Sequence, residues 1–124
     1  MIKNRLVYMN GDFVPESEAR VSIFDSALMF GDMVFEMTRS FNKKQFKLRE
    51  HIDRLYIGIK ILQIPIKMTK KEMEEAVFKT IEKNEPAFSD DDEHRIMIDI
   101  SRGLLGIYQG IEGINKGPNI IIAD

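Results

Sequence analysis

Between Ser22 and Tyr56 the chain runs through a turn around Asp25, a Phe30-Gly31-Asp32 step, an alternating strand, a short hairpin and a helix. That order sets polar side chains and tight backbone between two structural elements, which is where rigid scaffolds present functional groups. From Val34 to Phe41 the alternation places Phe35, Met37, Arg39 and Phe41 on one face and Val34, Glu36, Thr38 and Ser40 on the other. Neither face is plainly apolar. One side of this strand is therefore expected to line a wet or functional space, with a partly exposed sheet as the alternative. Asn42-Lys43-Lys44 predicts a turn into Gln45 to Leu48.

The helix that begins near Arg49 carries Ile52, Leu55, Tyr56, Ile59 and Leu62 at helical spacing. Arg54 lies off that stripe, and Gly58 follows it by one turn on the same side. Glycine costs a helix about 1 kcal/mol relative to alanine, so backbone or a ligand is expected to come close there, a plain surface glycine being the alternative. Pro65 ends the helix before Ile64. A second helix opens at Thr69, with Glu72 three positions on in a capping-box arrangement. Met73, Ala76, Val77, Thr80 and Ile81 form its core face, and Asn84 closes it.

Shorter signals complete the domain. Asn10-Gly11 predicts a tight hairpin between strands at Arg5–Met9 and Asp12–Val14, and residues 15–27 read as loop. Arg95 to Arg102 alternates as a strand, with Ile96, Ile98, Ile100 and Arg102 on one side, and Ile120-Ile121-Ile122 reads as a covered strand. Between them, glycines 103, 106, 110, 113 and 117 enclose six large apolar residues, so this loop is expected to pack on something, fold over a pocket or meet a partner subunit. The fold class is α+β: one small domain over 1–124, mostly antiparallel sheet, with two principal helices on one side.

Several chemistries are disfavoured. The chain has no cysteine, which removes disulfides and thiolate metal sites and agrees with a cytoplasmic location. Its 20 acids against 18 bases, a net charge of -2, give no general reason to bind nucleic acid, and no run approaches membrane-spanning length. His51 and His94 lack metal-ligand spacing, and the acidic run Asp90 to Glu93 reads as a turn, so no metal is assigned. Carboxylate pairs, Asp25 with Asp32 or Glu36 with Glu50, remain a minor alternative for glycoside chemistry.

The portion from Phe24 to Tyr56, and EHIDRLY above all, resembles the N-terminal domain of the class IV, or fold-type IV, pyridoxal-phosphate enzymes, which include branched-chain and D-amino acid aminotransferases and aminodeoxychorismate lyases. The resemblance implies that Arg54 lies against the phosphate of pyridoxal 5'-phosphate, where a guanidinium offers a rigid fork of donors. It places Phe30, Gly31, Phe35, Glu36 and Thr38 beside the substrate, with Arg39 either facing substrate or structural. Arg102 and Gly103 then precede a substrate-carboxylate loop that includes Ile107, Tyr108 and Gln109.

The sequence departs from that pattern in informative ways. Leu28 stands where the D-amino acid enzymes have a tyrosine, and Ile107 and Gln109 stand where they carry a carboxylate-trapping arginine and histidine. The apolar loop favours an apolar, branched-chain-like substrate. No residue matches the family's Schiff-base lysine, Lys116 included, so no catalytic residue is assigned within 1–124. The resemblance implies that a C-terminal domain supplies the lysine, that the isolated chain is inactive, and that the complete enzyme is a homodimer acting on an amino acid and a 2-oxo acid. A related lyase and a noncatalytic partner-binding domain are the alternatives.

Overall fold

The structure, a computed structural model, describes residues 4–124. Strands β1 (Leu6–Met9) and β2 (Asp12–Pro15) form the first hairpin, followed by a short helix α1 (Ser26–Phe30), β3 (Met33–Phe41) and β4 (Lys44–Gln45). Helices α2 (Leu48–Leu62) and α3 (Lys70–Asn84) come next, then β5 (Arg95–Ser101) and β6 (Asn119–Ala123). One six-stranded sheet results, in the order β2-β1-β6-β5-β3-β4. Every pairing in it is antiparallel. The expected α+β architecture with two principal helices is the observed one.

Local chemistry explains most element boundaries. Asn10 and Gly11 take φ of 53° and 97°, the left-handed pair that lets a two-residue turn join Met9 to Asp12. The Thr69 hydroxyl accepts from the Glu72 N–H at 3.1 Å while the Glu72 carboxylate accepts from the Thr69 N–H at 3.0 Å, so the capping box is complete. Asn84 ends α3 and does more: its side chain accepts from the Leu6 N–H at 2.7 Å and donates to the Leu6 carbonyl at 2.8 Å. A helix end is thereby tied to the start of β1.

The core lies between the sheet and the two helices. Ile96, Ile98, Ile100 and Ile122 from the sheet meet Leu48, Ile52, Leu55 and Ile59 from α2 and Met73, Ala76 and Val77 from α3. The Glu36, Thr38 and Ser40 face of β3 is part of this covered side. Burial without partners would be costly, and each group has one. Thr38 donates to the Gln45 side chain at 2.6 Å, and Ser40 donates to Glu93 at 2.7 Å and accepts from the His94 N–H at 2.8 Å.

Two sequence expectations need correction. The segment before Gly31 is not all loop, because Asp25 caps the five-residue helix α1 by accepting from the Ala27 N–H at 2.8 Å. Arg102 does not share the isoleucine face of β5, since the strand ends at Ser101 and the arginine turns toward Asp32. Gly58 resolves the choice left at α2: a Cβ there would sit 2.8 Å from Val34 Cγ1, so the close neighbour is strand β3. The glycine lets helix and sheet approach.

Candidate functional site

Opposite the helices the sheet is uncovered. Phe35 and Met37 on β3 stand across from Asp99 and Met97 on β5, which in turn stand across from Ile121 and Ala123 on β6. Phe35 is 62% exposed and Met37 45%. Asp99 is a carboxylate set between Phe35 and Ile121 in register, and burial pushes its pKa up. The result is an apolar floor with one acid in it.

Arg54 projects from α2, its side chain 71% exposed. Its Nε and Nη2 donate to the two oxygens of Glu36, the second at 2.8 Å, while Glu36 itself is only 5% exposed. His51 Nδ1 stands 3.4 Å from the same carboxylate. The hydrogen bond from Arg54, with that from His51, holds the Glu36 carboxyl below its ordinary pKa against the opposing effect of burial. Such a fork fixes the plane of the guanidinium. Nη1 has no partner among the described residues, so its two N–H groups, with the second N–H of Nη2, are left for an anion.

The glycine loop is anchored at both ends. Gly103 takes a φ of 87°, and a Cβ there would overlap the Gly117 carbonyl oxygen, so two loop ends touch through backbone that only glycine allows. Gln109 Nε2 donates to the Leu104 and Lys116 carbonyls at 3.2 and 3.3 Å, and Tyr108 stacks on Phe24 with centroids 4.6 Å apart. Ile107 then projects outward, 82% exposed. Below the loop, buried Asp25 accepts from Ser101 Oγ at 2.9 Å and Asn119 Nδ2 at 2.6 Å, joining α1 to β5 and β6.

The residues expected at the site therefore fall into separate groups. Phe35 and Arg39 share the uncovered face, exposed Phe30 ends α1, and Glu36 and Thr38 lie on the opposite, covered face. Tyr108 and Gln109 hold their loop together. Arg102 is engaged by Asp32, with Nε to Oδ2 at 2.5 Å, and by the Leu62 and Gln63 carbonyls at 2.6 and 3.2 Å. It caps the end of α2. Asp25 and Asp32 are thus each committed to other partners, which leaves no free carboxylate pair between them. The Asp25 hub is the feature that sequence reasoning missed; the signal was an aspartate immediately before Ser26-Ala27, a capping position.

Among the described residues no helix is long and apolar enough to cross a membrane. No group of three or more metal-ligating side chains gathers among them either.

Comparison with known proteins gives consistent relatives. The family profile described as amino-transferase class IV matches residues 33–123. A putative branched-chain-amino-acid aminotransferase of Methanocaldococcus jannaschii is 49% identical over 78 residues, 63% of this chain and 27% of that protein. The solved branched-chain amino acid aminotransferase of Escherichia coli superposes with a TM-score of 0.80 at 29% identity, over 98% of this chain and 39% of that one. The branched-chain aminotransferase of Thermoproteus uzoniensis, solved with norvaline, gives 0.78 at 27% identity, over 98% and 40%. The chain spans well under half the length of these relatives.

Proposed function

Because the chain belongs to the amino-transferase class IV family, we propose that it forms the N-terminal domain of a pyridoxal 5'-phosphate-dependent aminotransferase. In this reading a longer polypeptide supplies the lysine that carries the cofactor, and the complete enzyme is a cytoplasmic homodimer. It moves an amino group between an amino acid, branched-chain in preference, and a 2-oxo acid. The 124 residues alone are inactive.

The observation that carries the reading is the Glu36–Arg54 fork. The arginine is exposed, held in plane by a buried carboxylate, and keeps Nη1 and one N–H of Nη2 for an incoming anion. That donor set fits the phosphate end of the cofactor. When bound, pyridoxal phosphate supplies an electron sink for the bond broken at the substrate carbon. The chain's own contribution is to bind and orient: Arg54 grips phosphate, Glu36 and His51 keep the arginine in place, and around the edge of β3, which β4 pairs only at Ser40 and Phe41, Phe35, Met37 and Met97 present an apolar wall to one side of the substrate. That wall and the branched-chain relatives support an apolar substrate side chain.

The test is cofactor affinity in the full-length protein. Replacing Arg54 with alanine removes a charge-assisted contact, and the dissociation constant for pyridoxal 5'-phosphate should rise on the order of 10–100-fold. Equal affinity in wild type and variant would remove Arg54 from the cofactor site.

A further inference from the structure

Asn10 and Gly11 form the only Asn-Gly pair in the 124-residue sequence. Both are exposed at the tip of the β1–β2 hairpin, in the left-handed conformations of its two-residue turn. Gly11 has no side chain to shield its backbone nitrogen, which can attack the carbonyl carbon of the Asn10 side chain. Such a pair is chemically labile, and the contacts of the asparagine amide decide how labile.

That amide is held at both of its polar atoms. Asn10 Oδ1 accepts from the Ile120 N–H at 2.7 Å, and Nδ2 donates to Asn119 Oδ1 at 3.0 Å. Asn115 Nδ2 donates to the same Asn119 oxygen at 3.0 Å, and Asn119 Nδ2 donates to buried Asp25 at 2.6 Å. A carboxylate only accepts, so Asp25 fixes which way round Asn119 stands, and Asn119 fixes which way round Asn10 stands. The three side chains make a directional line from the hairpin tip, across the start of β6, to the cap of α1. Strand order puts β6 and β2 on opposite sides of β1. An Asn10 side chain bound to β6 is therefore turned away from the Gly11 nitrogen, which leads into β2.

We propose that Asn10 is a site of spontaneous deamidation that the fold restrains, and that its product cuts the tie between the first hairpin and β6. In the reaction the Gly11 nitrogen bonds to Asn10 Cγ, the Cγ–Nδ2 bond breaks, and Nδ2 leaves as ammonia with the proton that Gly11 gives up. Water then opens the cyclic imide at either carbonyl, leaving aspartate or isoaspartate. A cavity of about 380 Å³, lined by Asn10, Asn115 and Asn119 among others, admits that water. The product carboxylate faces Asn119 Oδ1 with no proton to offer. Turning Asn119 round only moves the clash of acceptors to buried Asp25. Isoaspartate adds a backbone methylene to a turn of two residues. None of these groups takes part in the proposed cofactor site.

The full-length protein is incubated at neutral pH with and without unfolding urea, and peptide mapping by mass spectrometry follows deamidation at position 10. The folded protein should react about tenfold more slowly, the order expected when two hydrogen bonds must open first. Asn119→Ala removes the acceptor of Nδ2 and should speed the folded-state reaction about fivefold. Asn10→Asp makes one product directly, and hydrogen exchange across residues 119–123 should quicken about tenfold in it while α3 keeps wild-type protection. A folded rate equal to the unfolded one, no acceleration in Asn119→Ala, or wild-type protection of β6 in Asn10→Asp would overturn the proposal. The first and last of these measurements do not depend on a folded Asn119 variant.

Discussion

Glu36 and Arg54, on a strand and a helix, are joined by a two-point fork in which the buried partner is the acid and the exposed partner is the base. The acid therefore acts through the arginine. Glu36→Gln should leave the fold in place, free the guanidinium, and weaken pyridoxal 5'-phosphate binding about tenfold in a fluorescence titration of the full-length protein. Binding at wild-type strength would mean that Arg54 needs no orienting partner.

The same pair has a pH signature. The folded-state pKa of Glu36 is depressed, first by the Arg54 hydrogen bond, so its contribution to stability is present above the ordinary value of 4.5 and fades as pH falls below it. Thermal melts should therefore show the largest gap between wild type and Arg54→Ala near neutrality and a shrinking gap below pH 4.5. A gap that does not change with pH would assign the effect to packing.

Arg102 binds Asp32 and the last carbonyls of α2, so its role is to lock a strand exit to a helix end. Arg102→Ala should destabilise the protein by about 1.5–3 kcal/mol in urea melts, the range for hydrogen bonds to a charged group. Lysine at 102 should recover little, because it lacks the planar fork. Full recovery by lysine would show that charge alone suffices.

Gly58→Ala would push a methyl group against Val34, which should outweigh the gain in helix propensity and cost about 1–3 kcal/mol. Combining it with Val34→Ala should return much of that loss. A double variant no better than Gly58→Ala would place the strain somewhere other than the helix–strand contact.

Glu93 is held down to a pKa of about 2, chiefly by the Ser40 hydroxyl and then by the Lys43 N–H. Its stabilising effect is complete above the ordinary 4.5 and is lost as pH falls through about 2. Wild type should melt above Glu93→Gln at pH 6, and the two curves should converge near pH 2. Persistence of the gap at pH 2 would mean that the turn does not depend on the charged carboxylate.

The elements legible in the sequence were those whose causes lie within a few residues. Asn10-Gly11 carries its own turn geometry, and Thr69 reaches Glu72 within one helical turn. The alternation of β3 was equally plain, but which face it buries depended on where α2 would lie. Glu36, Thr38 and Ser40 look like a wet surface until Arg54, Gln45 and Glu93 are brought to them. Arg102 was harder still, because Asp32 is seventy positions away in the chain. Helix α1 escaped notice because Leu28, Met29 and Phe30 are exposed and leave no periodic apolar stripe. The polar partnerships of the site are long-range, and a linear reading sees each member alone.

Strand β6 lies between β1 and β5, which do not pair with each other. During synthesis the β1–β2 hairpin and the β3–β5 ladder can each form from what has already emerged, yet they share no strand pairing until residues 119–123 leave the ribosome. The sheet is continuous only once this strand is in place between the two. A nascent chain stalled just short of that point would expose two open strand edges at once, and it is there that this protein would depend most on a chaperone.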